Sequence, residues 1–248
     1  MARREAISHI SQAYPERVEV RGRDLTGDLM GRLSFTEYFH LLLTGEEPTE
    51  DQRFFLDLVL VSIAEHGMMP TNVAARMTLS ADPGSLQGAV AAGILGCGPV
   101  ILGTAEECAR VLEEAHASGR EPLEIAREIH AAGGKVPGFG HPVHRPVDPR
   151  AERILELADH QGVSGDNIAL ARGLRDAVAE VWEKPLTMNV SMPIAAVLLD
   201  LGFPSSAVKA VPILARTAGL LAHLAEEQHL PLGFHMARAA EEAIEYER

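Results

Sequence analysis

Aromatic residues and cysteines are scarce in this chain of 248 residues. Phe, Trp and Tyr together make up 4% of the sequence, and its two cysteines, Cys97 and Cys108, do not form a CxxC pair. Two cysteines are too few for a disulfide framework. The shortage of aromatic residues disfavours a β-sandwich, whereas the abundant Ala and Leu suit packed helices.

Positive charge is also in short supply, because the formal net charge is -13 at pH 7. Nucleic-acid binding is therefore not expected, since phosphate contacts need a basic patch. The N-terminus lacks the apolar core of a secretory signal, and the apolar segments look too short or too interrupted to cross a bilayer. We expect a soluble, cytoplasmic protein with no nucleic-acid and no membrane partner. In such an acidic chain, a local cluster of cations is the natural place for an anionic ligand.

Helix signals recur along the whole chain. Ser34 and Glu37 form a capping-box pattern before an apolar run, and Asp148 followed by proline is typical of a later helix start. We find no convincing alternating strand pattern. The sequence thus predicts an all-α protein with two long irregular stretches, residues 133–149 and 184–193. Irregular backbone between packed helices usually marks a linker or a site.

The first irregular stretch carries an unusual set of side chains. Residues Lys135 to Glu152 read KVPGFGHPVHRPVDPRAE, so histidines and arginines stand among glycines and prolines. Gly-rich backbone can lie against an extended ligand, and His141 offers a hydrogen-bond donor beside it. Arg150 follows a helix N-terminus, where a carboxylate is favoured. The alternative is a surface linker whose charges are solvated.

Two more cationic residues stand in apolar surroundings. His66 ends an apolar helix, where a histidine ordinarily caps the last carbonyls. Arg216 lies within an apolar helical run, and a buried cation needs a partner. That partner is either a structural carboxylate or the carboxylate of a substrate. Metal-ligand spacings, phosphate-binding glycine loops and dinucleotide fingerprints are missing from the sequence, so no metal is expected.

The run GFGHPVHRPVDPRA closely resembles the citrate synthase motif GFGHxVxxxxDPRA. Further segments resemble signatures of that family in the same order and together cover about residues 17–230. They are VRGRDLTGDLMGRLSFTEYFHLLLTGEEPT, SIAEHG, GCGPVILGTAEE, MNVSMPIAAVLLDLGFP and ILARTAGLLAHLAEEQ. The chain is short, and His66 is followed by glycine as in the citryl-CoA lyase module of ATP-citrate lyase. It therefore resembles the short, citryl-CoA lyase-like branch of the superfamily.

The resemblance implies an all-α, citrate synthase-like fold and a homodimer or higher homo-oligomer. Residues 1–66 and 192–248 would form a large helical domain, and residues 67–191 a smaller CoA-binding domain. The implied function is a CoA-thioester lyase that cleaves citryl-CoA or a related 3-hydroxyacyl-CoA by retro-aldol chemistry. The products would be acetyl-CoA and an oxo-acid such as oxaloacetate or pyruvate, and the reverse condensation is equally compatible. The CoA thioester is a substrate, and no metal is implied.

The resemblance also implies roles for single residues. His66 matches the histidine that stabilises the enol of the thioester, and His141 matches the one that polarises the keto group. Arg150 and Arg216 match carboxylate-binding arginines, and Arg21 matches an early arginine that lines the site. The loop implied for binding the adenine of CoA consists of Val136, Pro137, Gly138, Phe139 and Gly140. Apart from the resemblance, Lys135, His144 and Arg145 form a basic cluster beside this loop in an acidic chain, and we expect them to bind CoA phosphates.

The sequence departs from the family pattern at three places. Ser191 stands where the family has its catalytic aspartate, and a serine cannot act unaided as a general base near neutral pH. As a catalytic residue in the cleavage direction, Ser191 would instead relay a proton to the enolate carbon. Ile101 replaces a histidine, and a late arginine of the family falls near His235, with Arg238 close by. These changes favour a smaller or less charged acyl group, such as that of citramalyl-CoA. Ser191 also supports an alternative, a catalytically weak homologue that binds CoA without turning it over.

Overall fold

Helices dominate the part of the chain that the computed structural model describes, residues 6–247. The helical share is 61%, so the prediction of an all-α protein is confirmed. In chain order the helices are α1 Phe35–Thr44, α2 Glu50–Ala64, α3 Pro70–Ala81, α4 Leu86–Leu95, α5 Thr104–Ser118, α6 Pro122–Ala131, α7 Pro149–Gln161, α8 Asp166–Val181, α9 Ser191–Asp200, α10 Ala210–Glu227 and α11 Gly233–Ala243.

The chain divides into two units, Met1–Asp57 and Leu58–Arg248. The first unit contains a small antiparallel sheet that the sequence did not predict. Its strands are β1 Ser11–Ala13, β2 Val18–Val20 and β3 Arg23–Asp24, paired in the order β1-β2-β3. Strands of two or three residues are too short to show an alternating pattern, which explains why they were missed.

Helix α1 of the first unit begins as the sequence indicates. The Glu37 amide donates to Ser34 Oγ at 3.3 Å, and the Ser34 amide donates to Glu37 Oε2 at 2.7 Å. This reciprocal capping box satisfies two amides that the first turn leaves without a helical partner. The predicted capping box is confirmed.

Helices of the second unit pack in two groups. In one group α3 packs against α4, α10 and α11, and in the other α9 packs against α5, α7 and α8. Helix α9 is buried from Ser191 to Leu198, because a helix that is apolar on all sides belongs in the middle of a core. The division into residues 1–66 with 192–248 and residues 67–191 stays a prediction.

One apolar segment is longer than expected from the sequence. Residues Ser205–Glu227 are long and apolar enough to cross a membrane by length and composition alone, so the expectation that the apolar segments are all too short or too interrupted was wrong. Core helices of soluble proteins pass the same test, and 44% of the apolar window is buried inside the protein. Within this segment α10 packs against α3 and α4 and carries the buried Arg216.

The two irregular stretches predicted from the sequence meet in the second unit. Phe139 and Met188 form an antiparallel bridge. The Gly140 amide donates to the Thr187 carbonyl at 2.7 Å, and the Asn189 amide donates to the Gly138 carbonyl at 2.8 Å. The second stretch is shorter than predicted, because α9 already begins at Ser191.

Glycine is required at position 138 for two reasons. Its φ of +80° is rarely adopted by L residues, and a Cβ there would lie 2.8 Å from both Cys108 Sγ and Met192 Cβ. The Gly-rich run therefore approaches α5 and α9 more closely than any side chain would permit. This close approach holds the run in place beside the start of α9.

Candidate active site

Asp148 joins the two irregular stretches and is fully buried. As the N-cap of α7 it accepts the Arg150 amide at 3.1 Å, and its carboxylate also accepts Arg150 Nε at 3.0 Å and Nη2 at 2.8 Å. The Val190 amide, from the second stretch, donates to the same carboxylate at 3.1 Å. Burial raises the pKa of Asp148, but the hydrogen bonds and the charge of Arg150 outweigh it and hold the pKa below its usual value. The ionised carboxylate of Asp148 thus orients the guanidinium of Arg150.

Three half-buried histidines come together next to this ion pair: His66, His141 and His144. His66 Nε2 lies 3.0 Å from His144 Nε2. The ring centroid of His141 lies 5.3 Å from that of His66 and 4.4 Å from that of His144. The turn after α2 and the Gly/Pro-rich stretch, which are far apart in sequence, therefore build one cluster.

The hydrogen bonds of His141 define where its proton lies. Its Nδ1 accepts the backbone amides of Val143 at 3.1 Å and His144 at 2.9 Å, so Nδ1 carries no hydrogen. Burial lowers the pKa of His141, as do the neighbouring His144 and Arg150. The ring is therefore neutral near pH 7, with its hydrogen on Nε2. Arg150 Nη2 lies 3.5 Å from that nitrogen, and these two donors can share one oxygen of a ligand.

His66 is held by the carboxylate that precedes it. Glu65 Oε1 accepts the amides of His66 at 2.8 Å and Gly67 at 2.5 Å, and Glu65 Oε2 pairs with His223 Nε2 at 2.9 Å. Burial lowers the pKa of His66, and the charge of Arg150 adds to this effect, so the ring is neutral at pH 7. With Nε2 facing His144, Nδ1 is the nitrogen left for a ligand.

His223 belongs to the support of this turn. Its Nδ1 accepts a hydrogen bond from Arg76 Nε at 2.9 Å. Arg76 is fully buried and forms ion pairs with Glu227, at 2.7 Å, and with Glu226. The chain from Glu227 through Arg76 and His223 to Glu65 connects α10 and α3 with the His66 turn. His223 thus supports the turn that carries His66.

Arg216 is a buried cation whose bonded partners are neutral. Only 3% of its surface is exposed. Nη1 donates to Asn72 Oδ1 at 3.1 Å, Nη2 donates to the Ile63 carbonyl at 3.3 Å, and Nε has no partner among the described residues. Burial lowers the pKa of Arg216, and nearby Glu65 opposes that shift. Of the two partners left open by the sequence, no structural carboxylate is hydrogen-bonded to Arg216 within residues 6–247.

Ser191 is the buried first residue of α9. Its amide donates to Asn189 Oδ1 at 3.0 Å, and Asn189 Nδ2 donates to the Gly140 carbonyl at 3.0 Å. Asn189 therefore ties Ser191 to the Gly-rich run. A side chain at the first position of a helix faces the positive end of the helix dipole, where an acid would be stabilised.

The residues that the sequence analysis assigned to CoA binding lie in different environments. Lys135 and Arg145 are exposed, whereas Val136 and Gly138 are buried, and Pro137 and Phe139 are half-buried. Gly138 and Gly140 use backbone groups to pair with residues 187–189. Their roles in CoA binding stay predictions. His144 points its Nε2 at His66, a contact that sequence reasoning did not foresee.

An open cavity of about 490 Å³ lies beside His141 and is lined by Arg145, Thr187 and Lys184 among others. Lys184 was missed in the sequence analysis. The sequence does point to Lys184, because it is a positively charged residue inside the second irregular stretch. Two cations and one face of the histidine cluster make this cavity suited to an anionic ligand such as a phosphate.

Arg21 belongs to the first unit and has a φ of +50°. Its Nε donates to the Leu42 carbonyl at 3.1 Å, and its Nη1 donates to the His9 carbonyl at 3.4 Å. Within its own unit the guanidinium thus anchors the end of α1. Its predicted role as a site residue stays a prediction.

Comparison with known proteins agrees with the family suggested by the motifs. The family model for the C-terminal domain of citrate synthase matches residues 7–232. Citryl-CoA lyase from Hydrogenobacter thermophilus is 32% identical with a TM-score of 0.89, covering 99% of this chain and 95% of that one. Citrate synthase from Heyndrickxia coagulans is 32% identical over 202 residues, which are 79% of this chain and 52% of that protein.

A mutant ATP citrate lyase from Methanosaeta concilii, solved in complex with (3S)-citryl-CoA, has a TM-score of 0.82 and covers 100% of this chain. At 20% identity that likeness shows the fold alone. The chain spans about half the length of the curated relatives that it matches. One family model nevertheless accounts for nearly all of the chain, including both stretches that build the histidine cluster, and this protein therefore belongs to the citrate synthase family.

Proposed function

We propose that the protein is a CoA-thioester lyase that cleaves citryl-CoA or a related 3-hydroxyacyl-CoA to acetyl-CoA and an oxo-acid, or catalyses the reverse condensation. One observation carries the proposal: the neutral imidazoles of His66 and His141 lie together, with the charged Arg150 at 3.5 Å from His141. Neutral donors beside cations suit a substrate that carries carboxylates and develops negative charge on oxygen. Similarity to the Hydrogenobacter thermophilus citryl-CoA lyase supports the same reaction.

Retro-aldol cleavage breaks the bond between the α-carbon of the thioester and the carbon that bears the hydroxyl group. The electron pair of that bond moves into the thioester and forms an enolate, while the hydroxyl group loses its proton and becomes a ketone. The enolate carbon then takes up one proton, so that no water is consumed. Negative charge develops on the thioester oxygen and at the hydroxyl oxygen, and both places need hydrogen-bond donors.

The cluster offers a donor for each oxygen. His66 Nδ1 would face the thioester oxygen, and His141 Nε2–H would face the hydroxyl oxygen, with Arg150 beside it. A single donor of this kind lowers a barrier by about 3 kcal/mol. Because the backbone amides at Nδ1 oppose a hydrogen there, His141 is suited to donate rather than to act as a base. A water molecule would then accept the hydroxyl proton.

Carboxylate and CoA recognition follow from the remaining cations. Arg216, which is buried and has neutral partners, would bind a carboxylate of the oxo-acid. The cavity lined by Arg145 and Lys184 would take phosphates of CoA. We also expect the homo-oligomer and the cytoplasmic location that the sequence suggested. No step of this reaction requires a metal.

Ile101 and the weak match to the family's late arginine favour a substrate smaller than citryl-CoA. Ile101 removes a hydrogen-bond donor to the substrate. Arg238, the nearest match to the late arginine, is exposed on α11. Fewer carboxylate contacts are needed for an acyl group such as that of citramalyl-CoA, which would leave pyruvate as the oxo-acid.

The test is to incubate the purified protein with citryl-CoA and with citramalyl-CoA and to follow the release of acetyl-CoA. Faster release from citramalyl-CoA is expected, and equal rates or a preference for citryl-CoA would contradict the smaller substrate. A Ser191→Asp variant is expected to gain condensation of acetyl-CoA with an oxo-acid. If neither form turns over any thioester but both bind CoA, the proposed lyase activity is wrong and the alternative of a CoA-binding homologue holds.

A further inference from the structure

His144 is predicted only to bind CoA and has no part in the proposed chemistry, although its imidazole touches His66, the residue that would hold the enolate. His66 Nε2 and His144 Nε2 lie 3.0 Å apart. At this separation one nitrogen carries the hydrogen and the other accepts it. The placement of His144 is well defined, because its amide donates to His141 Nδ1 at 2.9 Å and its carbonyl accepts Thr187 Oγ1 at 3.2 Å.

A metal site is the obvious alternative for three clustered imidazoles, and the hydrogen bonds speak against it. Histidines that bind a metal usually donate their second ring N–H to an acceptor. His141 does the opposite, because its Nδ1 accepts two backbone amides. Its Nε2 therefore carries the hydrogen where a metal would need a lone pair. The guanidinium of Arg150, 3.5 Å away, would also repel a cation.

We propose that His144 is a positioning residue that sets the tautomer of His66. His144 Nε2–H donates to His66 Nε2, so that neutral His66 keeps its own hydrogen on Nδ1. This inference rests on the proposed function, because stabilising the thioester oxygen requires a hydrogen on the nitrogen that faces it. Free histidine in water favours the other neutral tautomer, with the hydrogen on Nε2. Without His144, His66 would present a lone pair to the developing enolate.

Kinetics separate this role from a general effect on stability. His144→Leu keeps a similar volume but removes the donor, and kcat is expected to fall about a hundredfold, as for the loss of one donor to a developing oxyanion. KM should change less than about threefold, because His144 acts through His66 rather than on the substrate. His144→Gln restores an N–H near the position of Nε2 and should recover most of the rate. The exposed His160→Leu serves as the control.

The tautomer itself can be measured without any thioester. In the full-length protein labelled with ¹⁵N-histidine, and with the His66 signals assigned through a His66→Gln variant, His66 should show a protonated Nδ1 and an unprotonated Nε2. In His144→Leu the hydrogen should move to Nε2. A wild-type His66 that is protonated on Nε2, or a tautomer that is the same in both proteins, would overturn the assignment.

Failure of the proposed function gives a different pattern. If the ¹⁵N signals change as expected but no acyl-CoA is cleaved, the lyase reaction is wrong while the positioning of His66 by His144 stands. Titration with Zn²⁺ tests the metal alternative. Tight binding that is lost in His144→Leu, with shifts of all three histidines, would replace the positioning role by a metal site.

Discussion

Replacing Asp148 by asparagine should weaken the connection between the two irregular stretches. The carboxylate is fully buried and accepts four hydrogen bonds, three from Arg150 and one from the Val190 amide. Asparagine keeps the shape and one oxygen. Its amide NH₂ would face the donors that now bind Oδ2, namely Arg150 Nη2 and the Val190 amide.

The size of the effect follows from these contacts. A hydrogen bond to a charged group contributes about 1.5–3 kcal/mol, and asparagine loses two of them. Removing one partner of a buried ion pair costs about 3–5 kcal/mol. The Arg150 side chain is 20% exposed and can regain some water. We therefore expect a loss of about 3 kcal/mol in the free energy of unfolding.

Urea unfolding followed by circular dichroism measures this loss. With an m-value of about 3 kcal/mol/M for a chain of this size, the midpoint should fall by about 1 M. The matched control is Asp159→Asn, whose carboxylate pairs with Arg172 at 2.6 Å on the surface and should contribute about 0–1 kcal/mol. If both variants move the midpoint equally, Asp148 does not hold the two stretches together.

The difference in the free energy of unfolding between wild type and Asp148→Asn should depend on pH with a definite sign. The pKa of Asp148 is lowered in the folded protein, so its contribution is complete above the pKa of the unfolded chain and is lost as the pH falls through the folded pKa. The difference should be constant from about pH 8 to pH 5 and should shrink only below about pH 4. A difference that already shrinks near neutral pH would point to another group.

Three further predictions concern the same region. Gly138→Ala should lower the free energy of unfolding by about 2–4 kcal/mol, because the new Cβ would overlap its neighbours. Gly140 has a similar φ but open space around it, so Gly140→Ala should lower it by only about 1 kcal/mol, and thermal melts of both variants test the difference. Burial lowers the pKa of His66 and His141, so the free energy of unfolding should decrease as the pH falls below about 6.5. The urea midpoint measures this change, and a midpoint that rises below about pH 6.5 would contradict the conclusion that both imidazoles are neutral. Arg216→Met should leave the free energy of unfolding unchanged or raise it by about 1 kcal/mol. Binding of an oxo-acid, measured by calorimetry, should weaken at least about tenfold, and a clear loss of stability would mean that Arg216 stabilises the fold instead.

The helices and the family were readable from local patterns. The capping box at Ser34 and the N-cap at Asp148 depend on contacts within a few residues, and such contacts leave a signature in the sequence. The family motifs likewise lie in short segments that keep their order. Both predictions, the all-α fold and the citrate synthase family, are confirmed.

The site residues were chosen by resemblance, and their chemical roles remain predictions. What no local pattern contained was their mutual arrangement. His66 meets His144 across 78 positions of the chain, and Asp148 binds the Val190 amide across 42. Such pairs form only after the helices have packed, because packing determines which loops lie side by side.

Packing between distant segments also accounts for the features that the sequence did not show. The short strands β1 to β3 exist through pairing with each other, and Lys184 gained a place in the cation-lined cavity only because residues 184–187 lie beside the Gly-rich run. Composition and motifs were sufficient for the helical class, the family and the candidate catalytic histidines. The proton positions on those histidines depend on amides and imidazoles brought together by folding, and these positions determine which nitrogen can donate to a ligand.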